Sequence, residues 1–523
     1  MIVIGEMSLW VAIMMAAWAS VVFFIGAAAG RSDLLASGKR AIHATFVLVA
    51  VASVGLGSAL VSHDFSVRYV ALHTSFNLPK IYLLSAFWAG PAGSVLFAAV
   101  VVATAALVVV AARKPVDGSL ARASGVVAVV LTVLLAAASM AFNPFERLDW
   151  IPLDGSGMHP RLQSAGMIAH PPLLYIAYLV STVPFALGVA SAPAAAIDDS
   201  TGLEIRRWMV AAWFLNTIGI MAGTWWAYLE PQRSVSVLMY AIETGAILPW
   251  LSGGSFLLSC QLRARRTVSR RWNVALVVST FLLSIAAFVL TVASVASTTG
   301  QEGRAHFLAW LGIAVAVAIA VGAHFIPERS RSRESSQTGH TDALNHTSAG
   351  FRKGRLGPAV LVVLLAVAMI VTALAGAGFR SEARVTLEAA SVVRLEDPFG
   401  SQWSLVSQGI SSYNALNRQV TGLGLDMQKE GDAPRLVSTE VRQHVDVRGA
   451  RTYEPSREPG IVSLWREDVQ VVLEGITEEG DAIVSVSFNP MIRFLWIGGL
   501  MLAIGGVIVM WPSPRVESLR EEP

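Results

Sequence analysis

The chain has 523 residues, 54% of them apolar and 14% charged, with a formal net charge of +3. Uncharged apolar runs of about 20 residues are long enough to cross a hydrocarbon core roughly 30 Å thick, which excludes a soluble fold and points to a polytopic membrane protein. The small net charge says little about partners, and the single Cys260 excludes an intramolecular disulfide and CxxC chemistry within this chain.

Taken in chain order, hydropathy marks about eleven spans, near 7–29, 41–61, 82–112, 122–142, 171–192, 207–226, 237–260, 273–298, 305–325, 357–379 and 491–512. The first run lacks a basic n-region and a small-residue cleavage site, so it is expected to stay as a span. A polar aromatic loop, His63–Lys80, and a turn-rich segment, Ala141–Leu179, interrupt the apolar pattern. The stretch 326–356 is rich in Ser and Arg and reads as a flexible topogenic loop whose basic residues are candidates for membrane lipid headgroups. Region 380–490 alternates polar and apolar residues, as in ARVTLEAASVVRL and DVQVVLEGI, between Gly, Asp and Pro turns. That period of two argues a small β-rich domain.

The fold class expected is therefore an all-α polytopic membrane protein with a small β-rich extracytoplasmic domain. Its expected organisation is a transmembrane helix bundle over 1–325, a cytoplasmic basic polar loop over 326–356 and a transmembrane helix over 357–379. The β-rich domain over 380–490 follows, then a final transmembrane helix and tail over 491–523. Orientation follows from the Lys/Arg bias. Arg31, Lys39 and Arg40, then Arg113, Lys114 and Arg122, then Arg206 and Arg207, then Arg263–Arg271 and Arg329–Arg355 fall on one side by parity. That side is expected to be cytoplasmic, which places 380–490 outside a bacterial inner membrane.

The segment Ala141–Leu179 carries the strongest local signal. It ends in His-Pro-Pro directly before an apolar run, and proline is tolerated in the first turn of a helix. This spacing puts His170 at the lip of a membrane helix, where an imidazole is either a helix-capping group or a ligand for a metal or haem iron. Within NPFERL, Arg147 is expected to pair with an acidic group of the outer loops. His63 and His73 are expected as interfacial residues, and His159, His306, His324, His340, His346 and His444 show no ligand-like spacing. Cys260 is expected as an inert thiol inside a helix. No nucleotide-binding glycine loop, zinc spacing or Ser-His-Asp set appears, so hydrolytic catalysis has no support and no catalytic residue is assigned.

Several long strings resemble the CcmF family, the membrane haem-lyase subunits of bacterial cytochrome c maturation. They are HDFSVRYVALHTSFNLPKIYLLSAFWAGPAGSVLF, NPFERL with DGSGMHPRLQ and HPPLLYIAYL, AAWFLNTIGIMAGTWWAYLE, and the tail RTYEPSREPGIVSLWREDVQVVLEG followed by FNPMIRFLWIGG. The resemblance covers most of 55–300 and 380–512. It implies haem b as cofactor, with apocytochrome c and other maturation subunits as partners. Between WWAYLE and PWL the family carries a tryptophan-rich haem-binding segment. Here the interval reads PQRSVSVLMYAIETGAIL, and only Glu243 falls on a family acidic position. Trp225 and Trp226 survive at the preceding helix end, where interfacial anchoring is the competing role. Of the four histidines that the resemblance implies as ligands, His170 matches one. Leu258, Gly300 and Arg355 fall at the others.

The resemblance therefore assigns His170, Trp225, Trp226 and Glu243 as cofactor-binding residues, with His170 as metal ligand. It implies haem delivery for attachment to apocytochrome c, in a haem lyase-type subunit to which Met221 or a partner's histidine would supply a second ligand. The departures imply a competing reading, a haem-free scaffold that docks partners of a maturation complex. On this count the isolated chain is expected to hold haem substoichiometrically or not at all. A transporter has little support, because intramembrane charges are nearly absent apart from Glu243.

Overall fold

The computed structural model describes residues 1–111, 118–191, 199–230, 245–262, 270–297, 362, 365–415, 417–445 and 454–510. Helices α1 (Ile2–Ala29) and α2 (Ser32–Val61) form a hairpin that turns at Gly30, whose φ of 67° is left-handed. Glycine adopts that conformation without a Cβ clash. Two short helices, α3 (Arg68–His73) and α4 (Ile81–Ala86), precede α5 (Pro91–Ala111). There follow α6 (Gly118–Ala136), α7 (Ala165–Val180), α8 (Thr182–Ala190), α9 (Asp199–Leu229), α10 (Ile247–Leu262) and α11 (Arg270–Ser297). Helix α12 (Leu365–Ala377) leads into the strands, and α13 (Ile492–Met510) follows them.

Six helical stretches among the described residues are long and apolar enough to cross a membrane: Ile2–Ala29, Ser32–Val61, Pro91–Ala111, Gly118–Ala141, Ala165–Ala190 and Trp272–Ala293. The chain is a multi-pass membrane protein with a β domain, and the expected count of about eleven spans is not confirmed. Within three further expected spans the described residues include the apolar helices Ile247–Cys260, Leu365–Ala377 and Ile492–Gly506. The span expected over 305–325 and the loop 326–356 lie outside the described residues. The span expected from 82 begins instead at Pro91, the first residue of α5, where a missing N–H costs nothing.

The segment after α6 is stitched to the region after α2. Phe145, 1% exposed, inserts between α1 and α2, where a Cβ on Gly5 would stand 2.5 Å from its ring. The Arg68 amide donates to the Glu146 carbonyl at 2.8 Å and the Leu148 amide to Ser66 at 2.9 Å. Gly155 lies so close to Thr74 that a Cβ would sit 2.0 Å from its carbonyl oxygen. The ion pair here is Arg68–Glu146 at 2.8 Å, not one made by Arg147. Arg147 takes part in a backbone bridge with Val67, and alternation along that short ladder carries Arg147 and Glu146 to opposite sides.

The β domain is two antiparallel sheets packed face to face. One has the order β1 (Ser381–Leu387), β9 (Ala482–Pro490), β8 (Glu467–Ile476), β7 (Gly460–Ser463). The other runs β2 (Val392–Glu396), β3 (Gln402–Ala415), β4 (Arg418–Lys429), β5 (Arg435–His444), β6 (Ser456–Glu458). Alternate residues such as Leu405, Leu423, Leu425, Val469, Val471, Val484 and Val486 turn inward to share one core with Trp403 and Phe488. Beneath it, Lys429 Nζ sits 2.8 Å from Asp397 and 2.6 Å from Glu467, whose side chains are fully buried. Burial pushes the Asp397 carboxyl up, but Lys429 and the Ser401 and Phe399 amides outweigh it and hold the group well below the carboxylate range.

This domain docks on the bundle through the end of α9. The Tyr228 hydroxyl donates to Asp468 at 3.2 Å, and Gln470 donates to the Tyr228 carbonyl at 3.1 Å. Two glycines of α13 allow close helix approach from either side. A Cβ on Gly499 would meet Met221 of α9 at 2.7 Å, and one on Gly498 would meet the Ala366 carbonyl of α12 at 2.8 Å. Small residues serve helix contacts in membranes because packing, rather than hydrophobic burial, drives association there.

Candidate functional site

Helix α7 starts five residues before His170, with the Ser164 hydroxyl accepting from the Gly166 amide at 3.2 Å. The lip position expected for His170 is therefore corrected: it lies in the second turn and is 2% exposed. Pro171 and Pro172 sit inside the helix rather than in its first turn. Pro171 cannot donate to the Met167 carbonyl four residues earlier. Trp88 Nε1–H fills that vacancy, donating to Met167 O at 2.9 Å. The interior proline is thus accommodated by a side-chain donor from another part of the bundle.

His170 reaches across to α9, its Nδ1 lying 2.8 Å from the Gly219 carbonyl. A carbonyl only accepts, so Nδ1 carries the proton in this contact. Two glycines set this crossing. A Cβ on Gly219 would fall 2.6 Å from Leu174, and one on Gly166 would fall 2.3 Å from Trp226. Trp226, 7% exposed, stands edge-on to the His170 ring with centroids 6.0 Å apart. Its buried Nε1 has no acceptor among the described residues.

The structure therefore brings His170 and Trp226 together. It does not bring Trp225 to them, because consecutive helix residues diverge by about 100°, and Trp225 points outward with 42% exposure. Glu243 lies outside the described residues, as do Gly300 and Arg355, while Leu258 faces outward at 60% exposure. The described residues hold no group of three His, Cys, Asp or Glu side chains fit for a metal ion. His170 is instead held singly, by the Gly219 carbonyl. Metal-ligating histidines characteristically fix one ring N–H on a backbone carbonyl and present the other nitrogen.

The interfacial reading of His73 is also corrected. Helix α3 turns it inward to 4% exposure, stacked on Tyr69 at 4.3 Å and donating from Nδ1 to the Tyr69 carbonyl at 2.8 Å. Its Nε2 faces Gly90, 2.3 Å from where a Cβ would stand. Burial pushes its pKa down to about 4, so the ring is neutral. His444, at the end of β5, is likewise 4% exposed and has no partner for either ring nitrogen among the described residues. Sequence spacing could not reveal it, since its neighbours come from distant parts of the chain.

Comparison with known proteins places these features. Residues 88–296, from the end of the first loop to α11, match the family described as Cytochrome C assembly protein. The chain is thus a multi-pass membrane protein whose helices within 88–296 are similar to that family. Over 285 residues it is 32% identical to the cytochrome c-type biogenesis protein CcmF of Pseudomonas aeruginosa, covering 54% of this chain and 43% of that one. The Escherichia coli K12 CcmF gives 32% over 285 residues, covering 54% and 44%. The probable biogenesis protein NrfE of the same organism gives 32% over 245 residues, 47% and 44%. A solved structure named cytochrome c haem lyase CcmF shares the fold, with a TM-score of 0.71 at 19% identity over 98% of each chain. Over these regions the chain is similar to CcmF proteins, and it shares the fold of the solved one. It spans less than half the length of these curated relatives.

Proposed function

We propose that this chain is a haem-handling membrane protein of cytochrome c biogenesis, acting in a bacterial inner membrane with its β domain on the extracytoplasmic side. The observation that carries the reading is the His170 imidazole, buried, fixed through Nδ1–H on the Gly219 carbonyl and flanked by Trp226. In this role His170 would hold haem b, and the α7–α9 crossing would fix the direction of its ring. Trp226 flanks the site with an apolar edge. Haem, when bound, supplies the vinyl groups that become thioether links to an apocytochrome c. The partners in this reading are apocytochrome c and other maturation subunits, in keeping with relatives named as cytochrome c-type biogenesis proteins.

The test is genetic. Deleting the gene in its host should deplete covalently attached haem in c-type cytochromes, read by haem staining of denatured membranes. The wild-type gene should restore it and His170→Ala should not. Full restoration by His170→Ala would favour the haem-free scaffold instead, and undiminished staining after deletion would refute the role in biogenesis.

A further inference from the structure

A cleft of about 70 Å³ lies between the β domain and the end of the helix bundle. One wall is the ladder of β4, β5 and β6. Arg418 pairs in register with His444, and Arg442 with Ser456, so their side chains share one face at the end of that sheet. The opposite wall is the turn before α7, with Arg161 and Ser164, together with Trp226 and Leu229 of α9. A buried hydrogen bond from Asn417 Nδ2 to Gln163 Oε1, 2.9 Å long, clamps the two walls together. The cleft is therefore built between elements fixed to each other.

Four arginines line it with two carboxylates, Glu230 and Glu458, so basic groups are in excess. Arg442 is matched by Glu440 and Glu458. Arg161, Arg418 and Arg457 line the same cleft and form no ion pair with a described carboxylate. The Nε atoms of Arg418 and Arg457 are buried without an acceptor among the described residues, and so are both ring nitrogens of His444. Buried donors of this kind ordinarily find a partner. His444 is held down to about 4, first by burial and then by the positive charges of Arg418 and Arg442. The start of α7, a helix of 16 residues, adds the positive end of its dipole to the same wall.

We infer that this cleft binds a phosphate-class oxyanion, held by Arg161 from the bundle side and by Arg418 and Arg457 from the β domain. Guanidinium forks match phosphate oxygens two at a time, and three of them suit a multiply charged group better than a single carboxylate. The volume suits one such group, either a free anion or the headgroup of a lipid at the bundle's end. This inference does not depend on haem binding at His170.

The experiment uses the full chain in detergent, titrated with inorganic phosphate by calorimetry, beside Arg418→Gln and Arg161→Gln. Arg161 is exposed, so its variant keeps the fold even if Arg418→Gln does not. Phosphate binding that weakens at least tenfold in each folded variant identifies a soluble oxyanion. A second arm counts phosphatidylglycerol retained after exchange into phosphatidylcholine nanodiscs, by phosphorus NMR. Lipid retained by wild type and lost from the variants, without phosphate binding, identifies a headgroup. If neither ligand binds, or if the variants bind as wild type does, the inference is overturned.

Discussion

The helix bundle and the β domain bury polar groups by opposite means. In the bundle the buried partners are backbone carbonyls: His170 on that of Gly219, Trp88 on one freed by proline, Tyr69 on those of Ala86 and Phe87. In the β domain they are charged, as in Lys429 between Asp397 and Glu467. The difference follows from solvent. A charge within hydrocarbon depth has no water to lean on, whereas a sandwich beside water can bury an ion pair if every lone pair finds a donor. One consequence is that the bundle's specificity rests on close backbone approach at glycines, and the β domain's on charge complementarity.

The comparison is easiest to break at Lys429. Lys429→Ala leaves two buried carboxylates uncompensated, and loss of one member of a buried pair costs about 3–5 kcal/mol. Denaturation followed by near-ultraviolet signals of the β domain should show that loss, and a change under about 1 kcal/mol would mean the pair is solvated. In the bundle the matching experiment is Gly166→Ala, which drives a methyl group into Trp226. Overpacking of a rigid contact costs about 1–3 kcal/mol, and the melting temperature in detergent should fall. An unchanged value would show that α7 and α9 are not in tight contact.

A third test separates the regions by pH. His444 has its pKa pushed from 6.5 to about 4 in the folded state. A depressed pKa means that the unfolded chain binds the proton more readily, so this stability is present above pH 6.5 and is lost as pH falls toward 4. Melting temperatures should drop across that window, and His444→Gln should flatten part of the drop. An identical pH profile in the variant would remove His444 from the account. The smallest effect is expected at Arg68→Ala. The Arg68–Glu146 pair is about two-fifths exposed on each side, and such pairs contribute about 0.2–1 kcal/mol.

Legibility in the sequence tracked the range of the interactions. The alternation of 380–490 and the apolar runs are local periodicities, and they yielded the membrane class and the β domain. His170 was legible because His-Pro-Pro is a local string, but its depth was not. The start of α7 is set by Ser164, and the interior prolines are tolerated only because Trp88, 79 residues earlier than Met167, supplies a donor. Trp225 and Trp226 are indistinguishable as neighbours in a string, and only the helix phase turns one inward. The cleft was invisible because it depends on strand register and on a contact between residues 254 positions apart.

The central proposal, that His170 would hold haem, is tested most directly by titrating haemin into the purified full-length protein. Visible absorption should show a saturating, histidine-ligated Soret band in the wild type, and His170→Ala should abolish or shift it. Indistinguishable titrations of the two proteins would contradict the claim and leave His170 as a buried link between α7 and α9.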